Sequence, residues 1–591
     1  MRCVPALIFA WAALLAPAFA QTPFDLTEVA WTMRAEPDAS ALRMEMRLAP
    51  LHQRDHMLLR IPLWMPGSYN YANFQRKISE LEAIDQDGRA REWSVCDDRT
   101  WQVDAVGATE LTIRYRLGVD NVADADAAPA IMRNGPATFM FVEGAQNLPH
   151  TLSFELPEGW DHASGHRVHP TRANTVYSPN YDVFVDCPIV VGAMERFSFE
   201  SHEHPFEVVL YGKRPTPAQL PRAEWVEKVH RIVDAAWDVV GDYPFERYEF
   251  LFGFTDIGGG YGLEHLNSTT IEFNHGMIKS GSVGGLESVT AHEFFHHWNV
   301  KRIRPEILGP FDYTTDSRTK DLWWMEGVTS YYNDVILQRS GLRDGEPEWF
   351  LEEQARIGRT LQASSGYGKL SPERSSWTVW DGSGTQISYY DQGQALGFLL
   401  DVQIRHHTAN RRTLDDVVRF LYRWVDYPDS GLQPGDLERS IRAVTGWDCS
   451  SFFERYVAGN RRFPYAEVLA LAGLQVLDQR VGDAFLGLAL DESLHLTRAE
   501  DSANLREGDR LTRIAGASVT RAEELLAVTA TLKPGEHVDL VVERPGAGNV
   551  TASWTVRERD RSSLRIWRNP AATPEQNAIL EGILTGTPSG I

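Results

Sequence analysis

From Gln21 to about Ser201 apolar and polar residues alternate with a period of two. Leu42, Met44, Met46 and Leu48 are interleaved with Arg43, Glu45 and Arg47, and Leu111, Ile113, Tyr115 and Leu117 repeat the pattern, as do Leu152, Phe154 and Leu156. Successive side chains of a strand face opposite sides, so residues 21–213 read as a β-rich domain. Pro66-Gly67-Ser68-Tyr69 has the composition of a turn and by itself points to no chemistry. After a linker at Lys213 to Pro217 the period changes. Trp225, Val229, Ile232, Val233, Ala236, Trp237 and Val240 follow helical spacing, and Tyr248 to Phe254 reads as a short buried strand. Helices are expected at Trp349 to Leu361, Gln392 to His406, Thr413 to Trp424 and Leu437 to Val444, within a domain spanning 214–465. From 466 to about 560 the pattern returns to β, with Leu505 to Gly516 read as strand, turn and strand and a further strand at Val538 to Val542. A tail, 561–591, carries one helical stretch at Glu575 to Ile583 and is assigned no function. The chain shows no internal repeat and no low-complexity block.

The first twenty residues, MRCVPALIFAWAALLAPAFA, combine one arginine, an apolar run and a closing Ala-Phe-Ala. This is the pattern of a secretory signal cut after Ala20, and the run from Val4 to Leu15 is too short for a membrane anchor. The expectation is an exported protein, periplasmic or extracellular, with no integral membrane segment after cleavage. Cys96, Cys187 and Cys449 then remain, so at most one internal disulfide forms, with Cys96 and Cys187 the nearer pair in sequence. A net charge of −23 argues against nucleic acid and against anionic membrane surfaces.

The chemistry centres on His292-Glu293-Phe294-Phe295-His296. On a helix, positions i and i+4 share a face, so the two histidines can grip one ion with Glu293 beside it, the spacing of zinc hydrolases. A chain with this His and acid content shows such a match by chance in fewer than about one case in ten. The flanking Leu286, Val289, Ala291, Phe294, Phe295 and Trp298 make the helix largely buried, where two imidazoles need partners and a metal supplies both. His297 points about 100° away from His296 and reads as a core or supporting histidine. A catalytic zinc needs a third protein ligand and one position for water. Glu326, the one acid in the apolar and aromatic stretch Leu322 to Tyr332, is that third ligand; otherwise it is a carboxylate favoured by a helix N-terminus. The glycine cluster Gly258 to Gly262 is either a flexible loop or a close backbone approach, and it lacks the Lys-Ser or Lys-Thr of a P-loop. No G-x-S-x-G is present, and the cysteines lack a nucleophile's setting.

These motifs, in this order, resemble the glycyl aminopeptidases, zinc peptidases of the gluzincin group that carry a C-terminal PDZ domain. The resemblance rests on Trp64 to Tyr69 (W-x-P-G-S-Y), Gly262 to His265 (G-L-E-H), His292 to Pro305, Trp323 to Gly327 (W-x-x-E-G) and Tyr389 to Gly393. It implies a multidomain α+β fold: a β-rich N-terminal domain, a thermolysin-like catalytic domain with a helical C-terminal part, and a PDZ-like domain at 466–560. It also implies Zn2+ held by His292, His296 and Glu326, Glu293 as general base, and Gly262 and Glu264 at the substrate, Glu264 taking the free α-amine. Tyr390 would donate to the oxyanion. Peptides would be the substrates, with Gly or Ala first, and Phe485-Leu486-Gly487-Leu488 would be the loop that takes a C-terminal peptide ligand. Two positions depart from the pattern: Gln392 stands where Lys is frequent, and Ala72-Asn73 where Arg and an acid are common. Two other readings stay open: a zinc endopeptidase in which Glu264 does not cap the cleft, and a non-catalytic peptide-binding protein that works through the PDZ-like domain.

Overall fold

The computed structural model describes residues 26–586 except 52–53, 120–128, 257–258, 280–282, 347, 382–385, 481, 492, 500–503 and 560–562. The expected signal sequence lies outside the described residues. Contacts divide the chain into two units, one made of the residues up to Val233 with Asp242–Arg318 and Asp426–Gly431, the other of Asp234–Gly241, Thr319–Val425 and Leu432 onward.

The first unit opens with the β-rich region that the alternation predicts. A seven-stranded sheet runs Arg167–Val168, Thr175–Ser178, His150–Glu155, Val29–Ala35, Ala41–Leu48, Leu111–Gly118, Ile78–Asp85. Met44, Met46 and Leu48 are fully buried while Arg43 and Arg47 face solvent. Trp31, Met46, Ile113, Phe139 and Phe184 belong to one core, in which each buried large apolar side chain contributes about 1.5–3 kcal/mol. Beyond it a five-stranded sheet runs Glu195–Ser201, His204–Gly212, Tyr248–Thr255, Ser268–Asn274, Gly260–Glu264. Tyr248–Thr255 is parallel to both neighbours and buried along nearly its whole length, hence its unbroken apolar run. Gly260–Glu264 is the edge strand, antiparallel to Ser268–Asn274. Helix Gly284–Phe295 packs on these last two strands, with Leu286, Ala291, Phe294 and Phe295 buried and Phe294 set against the rings of Phe206, Tyr248 and Phe250. The helix expected from Trp225 onward is Arg222–Val240.

The second unit is helical at first. The expected helices form as Trp349–Ala363, Tyr389–His407, Leu414–Trp424 and Asp436–Thr445. Leu414–Trp424 opens with a reciprocal cap in which Thr413 and Asp416 satisfy each other's backbone N–H. The small β domain contains a sheet of Ala517–Ser518, Arg510–Ile514, His537–Arg544 and Gly548–Thr555 with helix Ala522–Thr529, around Leu511, Ile514, Leu540 and Trp554. Only Arg510–Ile514 of the stretch Leu505 to Gly516 forms a strand; Arg506 to Asp509 is a turn, held by Asp509 accepting from Arg506 N–H at 2.8 Å. Strand Ser563–Arg568 pairs with Leu474–Gln479, and helix Pro574–Thr585 buries Ile579, Leu580 and Ile583 against helices of the same unit. Cys96, Cys187 and Cys449 are all free. Cys96 lies exposed on a strand whereas Cys187 is fully buried after helix Tyr181–Asp186, so the expected pairing does not form. Among the described residues no helix is long and apolar enough to cross a membrane.

Candidate active site

Helix Gly284–Phe295 presents His292 and His296 one turn apart, and their Nε2 atoms stand 3.0 Å from each other. His296 bonds through Nδ1 to the Asn299 carbonyl at 2.7 Å. A carbonyl only accepts, so Nδ1 carries the proton and the lone pair of Nε2 faces His292. Two ring nitrogens converging in this way suit a shared cation, and the carbonyl behind His296 fixes the tautomer a metal ligand needs.

Glu264, Glu293 and His296 are all buried and offer ligand or carboxylate atoms within 4.8 Å of one another. What brings strand and helix so close is Gly262: a Cβ there would overlap the Glu293 carboxylate. The sequence leaves the glycine cluster open between a flexible loop and a close approach. At Gly262 it is a close approach, made to a side chain of the protein itself.

A second glycine acts on Glu264. Trp64 to Tyr69 belongs to the β-rich region, yet Gly67 lies on the Glu264 carboxylate. A Cβ at Gly67 would stand 2.7 and 2.8 Å from its two oxygens and 2.5 Å from Leu263 Cδ1, and the residue has φ +82°. The turn that carries no chemistry in the sequence is thus a wall of the Glu264 site, anchored by buried Trp64, whose Nε1 donates to Asp312 O at 3.3 Å.

Behind Glu264 lies a buried ion pair that the motifs do not reveal. Asp186, the last residue of helix Tyr181–Asp186, pairs with Lys301 Nζ and accepts from Leu266 N–H at 2.7 Å. Burial alone would raise the Asp186 carboxyl, but Lys301 and His265 together outweigh it and hold the group well below the carboxylate range. For Lys301, burial works against the charge, and Asp186 and then Glu264 keep its ammonium above the ordinary lysine value. The one sequence signal for this pair is a lysine directly after a buried apolar helix; its partner, 115 residues away, has no local signature.

His297 is a core residue, as its direction on the helix predicts. It is fully buried among the rings of Tyr243, Phe245, Tyr248, Phe294 and Trp298. Burial, with Arg302 adding to it, holds its pKa well below the usual imidazole value, so it stays neutral.

Glu326 and Tyr390 belong to the second unit. Glu326 is 2% exposed in a π-helical turn, Trp323–Val328, a rare form concentrated at functional sites. That turn crosses helix Tyr389–His407 at Gly327 and Gly393, where a Cβ on either glycine would overlap the other element's backbone. Tyr390 is in the first turn of that helix, its N–H donated to the Ser388 cap at 3.1 Å and its ring stacked on Tyr389 at 4.8 Å. The departure at Gln392 is accommodated locally: its amide accepts from Ser375 Oγ at 2.6 Å and donates to Leu370 O at 3.1 Å.

The convergent His and Glu groups form a set that could hold a metal ion beside a carboxylate. Residues 286–396 match the family profile described as M61 glycyl aminopeptidase, and residues 33–193 match that of the peptidase M61 N-terminal domain. No curated protein sequence matches the chain. Among solved structures, an aminopeptidase N family protein from Idiomarina loihiensis has 21% identity and a TM-score of 0.72, covering 94% of this chain and 100% of its own. An M1 zinc metallopeptidase from Deinococcus radiodurans has 14% identity and a TM-score of 0.45 over 75% of this chain and 95% of that one. Leukotriene A4 hydrolase from Saccharomyces cerevisiae has 15% identity and a TM-score of 0.47 over 76% and 70%. The Idiomarina structure carries the fold, and the two profile matches support a peptidase of the metallo-aminopeptidase kind.

Proposed function

We propose that the protein is an exported zinc aminopeptidase that removes the first residue of peptides, favouring small residues such as Gly or Ala. His292, His296 and Glu326 are its ligands. The observation that carries the reading is the meeting of Glu264, Glu293 and His296 within 4.8 Å. One carboxylate alone would suit any zinc hydrolase; the second, set beside it and fixed by Gly67, suits a charged amine at the end of a peptide.

A zinc ion held by His292, His296 and Glu326 would supply a water of pKa near about 7 and a Lewis acid for the carbonyl. Glu293 then accepts the water proton and returns it to the leaving amine. Glu264 pairs with the substrate ammonium and orients the first peptide bond, and it disfavours an acylated N-terminus, which has no charge to offer. Tyr390 donates to the developing oxyanion, an interaction worth typically about 10² to 10³ in rate. The cavity adjoining Glu264, lined by residues including Trp64, Gly67, Tyr69 and Val183, has a volume of about 30 Å³, which favours a small first residue.

A second function, peptide binding by the PDZ-like domain, is favoured by a groove of about 490 Å³ there. It runs between Leu486, Leu488 and Leu490 and the helix residues Ala522, Leu525 and Leu526, with Arg559 and Arg565 also lining it. Such a groove suits an extended C-terminal peptide added as a strand.

The test is mass spectrometry of one Ala-first peptide, free or N-acetylated, after incubation with zinc-loaded protein. Loss of one residue from the free peptide alone is the expected result. Internal cleavage of both would make the protein an endopeptidase, and two intact peptides, with retained binding of a C-terminal peptide, would leave only the groove.

A further inference from the structure

We propose that Asp186, contributed by the β-rich N-terminal region, is a positioning residue that ties the strand carrying Glu264 to the loop that orients His296. The proposal rests on the aminopeptidase reading for its functional consequence and on geometry for the tie itself.

The two oxygens of Asp186 face different elements. Oδ2 accepts from Leu266 N–H at 2.7 Å, two residues beyond Glu264, while Oδ1 pairs with Lys301 Nζ and lies 3.9 Å from His265 Nδ1. Lys301 in turn is fixed to the histidine helix, since its N–H donates to the His296 carbonyl at 3.1 Å. Between these anchors sits Asn299, whose carbonyl holds His296 Nδ1 at 2.7 Å. Arg302 closes the loop from the other side, donating to Leu266 O at 3.1 Å and to His297 O at 2.6 Å. One buried carboxylate therefore fixes the distance between the amine anchor and a metal ligand.

Val300 shows that this loop is held rather than relaxed. It has φ +143°, a conformation that a β-branched residue adopts only when its surroundings impose it. Its neighbours on both sides are the bonded residues Asn299 and Lys301, and the far end of the Lys301 side chain is gripped by Asp186. Without that grip the lysine keeps only the weaker attraction of Glu264, and Val300 is free to relax toward ordinary extended backbone, taking the Asn299 carbonyl away from His296. The pair also lines the cavity beside Glu264, so zinc affinity and the metal's spectrum, which direct contact with a substrate would not move, are the readouts of placement.

Two variants of the full-length protein test this. Asp186→Asn keeps the shape but removes the direct counter-charge of Lys301. The double variant Asp186→Leu with Lys301→Met replaces the pair by apolar groups of similar size, a change that buried pairs frequently tolerate. In either variant that folds, we expect zinc affinity, measured by chelator competition, to fall about 10- to 100-fold, the usual effect of losing support behind a ligand. The visible spectrum of the cobalt-substituted protein should shift, and KM for a free-amine peptide should rise more than kcat falls. A folded double variant with wild-type zinc affinity, cobalt spectrum and KM would overturn the proposal and make the pair a packing feature only. Hydrogen exchange of the metal-free protein separates this outcome from failure of the aminopeptidase reading. The tie predicts faster exchange in the double variant at the amides of Leu266 and of position 301 together, whether or not the wild type cleaves peptides; acceleration at Leu266 alone would overturn it.

Discussion

Gly67→Ala tests whether the N-terminal region shapes the active site. The new Cβ would lie 2.7 Å from Glu264 Oε2, and ordinary contact begins at 3.4 Å, so the carboxylate or the turn must retreat by 3.4 − 2.7, about 0.7 Å. The left-handed backbone, φ +82°, adds about 1–2 kcal/mol for any residue with a Cβ, and the overpacking adds about 1–3 kcal/mol. Gly107→Ala is the matched control, with φ +72° and nothing within 4 Å of its Cβ, so it carries the backbone cost without the collision. A displacement approaching 1 Å at a positioning group costs up to about 100-fold in rate. We therefore expect Gly67→Ala to lower kcat/KM on a free-amine peptide by about 10- to 100-fold, with zinc content unchanged, while Gly107→Ala stays within about twofold of wild type. Steady-state kinetics on Ala-first peptides, with metal analysis of the same samples, measures both. Wild-type kcat/KM in a folded Gly67→Ala protein would refute the argument that this turn sets the position of Glu264.

Three further outcomes are expected. Glu293→Gln should bind zinc normally and lose at least about 100-fold in turnover, since the amide cannot accept the water proton; equal activity would remove Glu293 as base. Tyr390→Phe should lower kcat by about 10- to 1,000-fold while changing KM little, and an unchanged kcat would point to Tyr389 or to no phenol. Stability should fall on acidification below about pH 6.5, because burial depresses His150 to about 4 and His166 to about 3 and the folded chain binds fewer protons than the unfolded one. The loss is on the order of 1.4 kcal/mol per pH unit per histidine, down to each folded-state pKa. Thermal melts from pH 7 to pH 4 check it, and His166→Gln should flatten the acid limb.

The parts legible in the sequence are those written in local periodicity. The i, i+4 histidines on one helix face and the alternation of Leu42 to Leu48 each need one element to be recognised, and each forms as expected. What stays hidden depends on elements meeting far along the chain. Gly67 is a turn glycine in the sequence, and only folding sets it on Glu264, almost two hundred residues away. Asp186 and Lys301 form a pair only once helix and loop are assembled. The π turn around Glu326 differs from an α turn by a single residue, a difference that an apolar stretch such as Trp323-Trp324-Met325 does not encode. Proximity in sequence likewise misled for Cys96 and Cys187, because one strand is solvent-facing and the other cysteine is sealed in the core.

The glycine at position 262 also bears on how such an enzyme can evolve. The space that a side chain there would fill is occupied by Glu293, the base in the proposed mechanism, so mutation at this point cannot explore new contacts with a peptide without first dislodging that carboxylate. New preferences must enter from elsewhere, and in the loop Trp64 to Tyr69, carried by a different region of the chain, the partly exposed Met65 and Ser68 can vary around buried Trp64 and constrained Gly67. The chemistry is thereby insulated from the selectivity, and the N-terminal region becomes the part of the gene on which selection for new substrates can act.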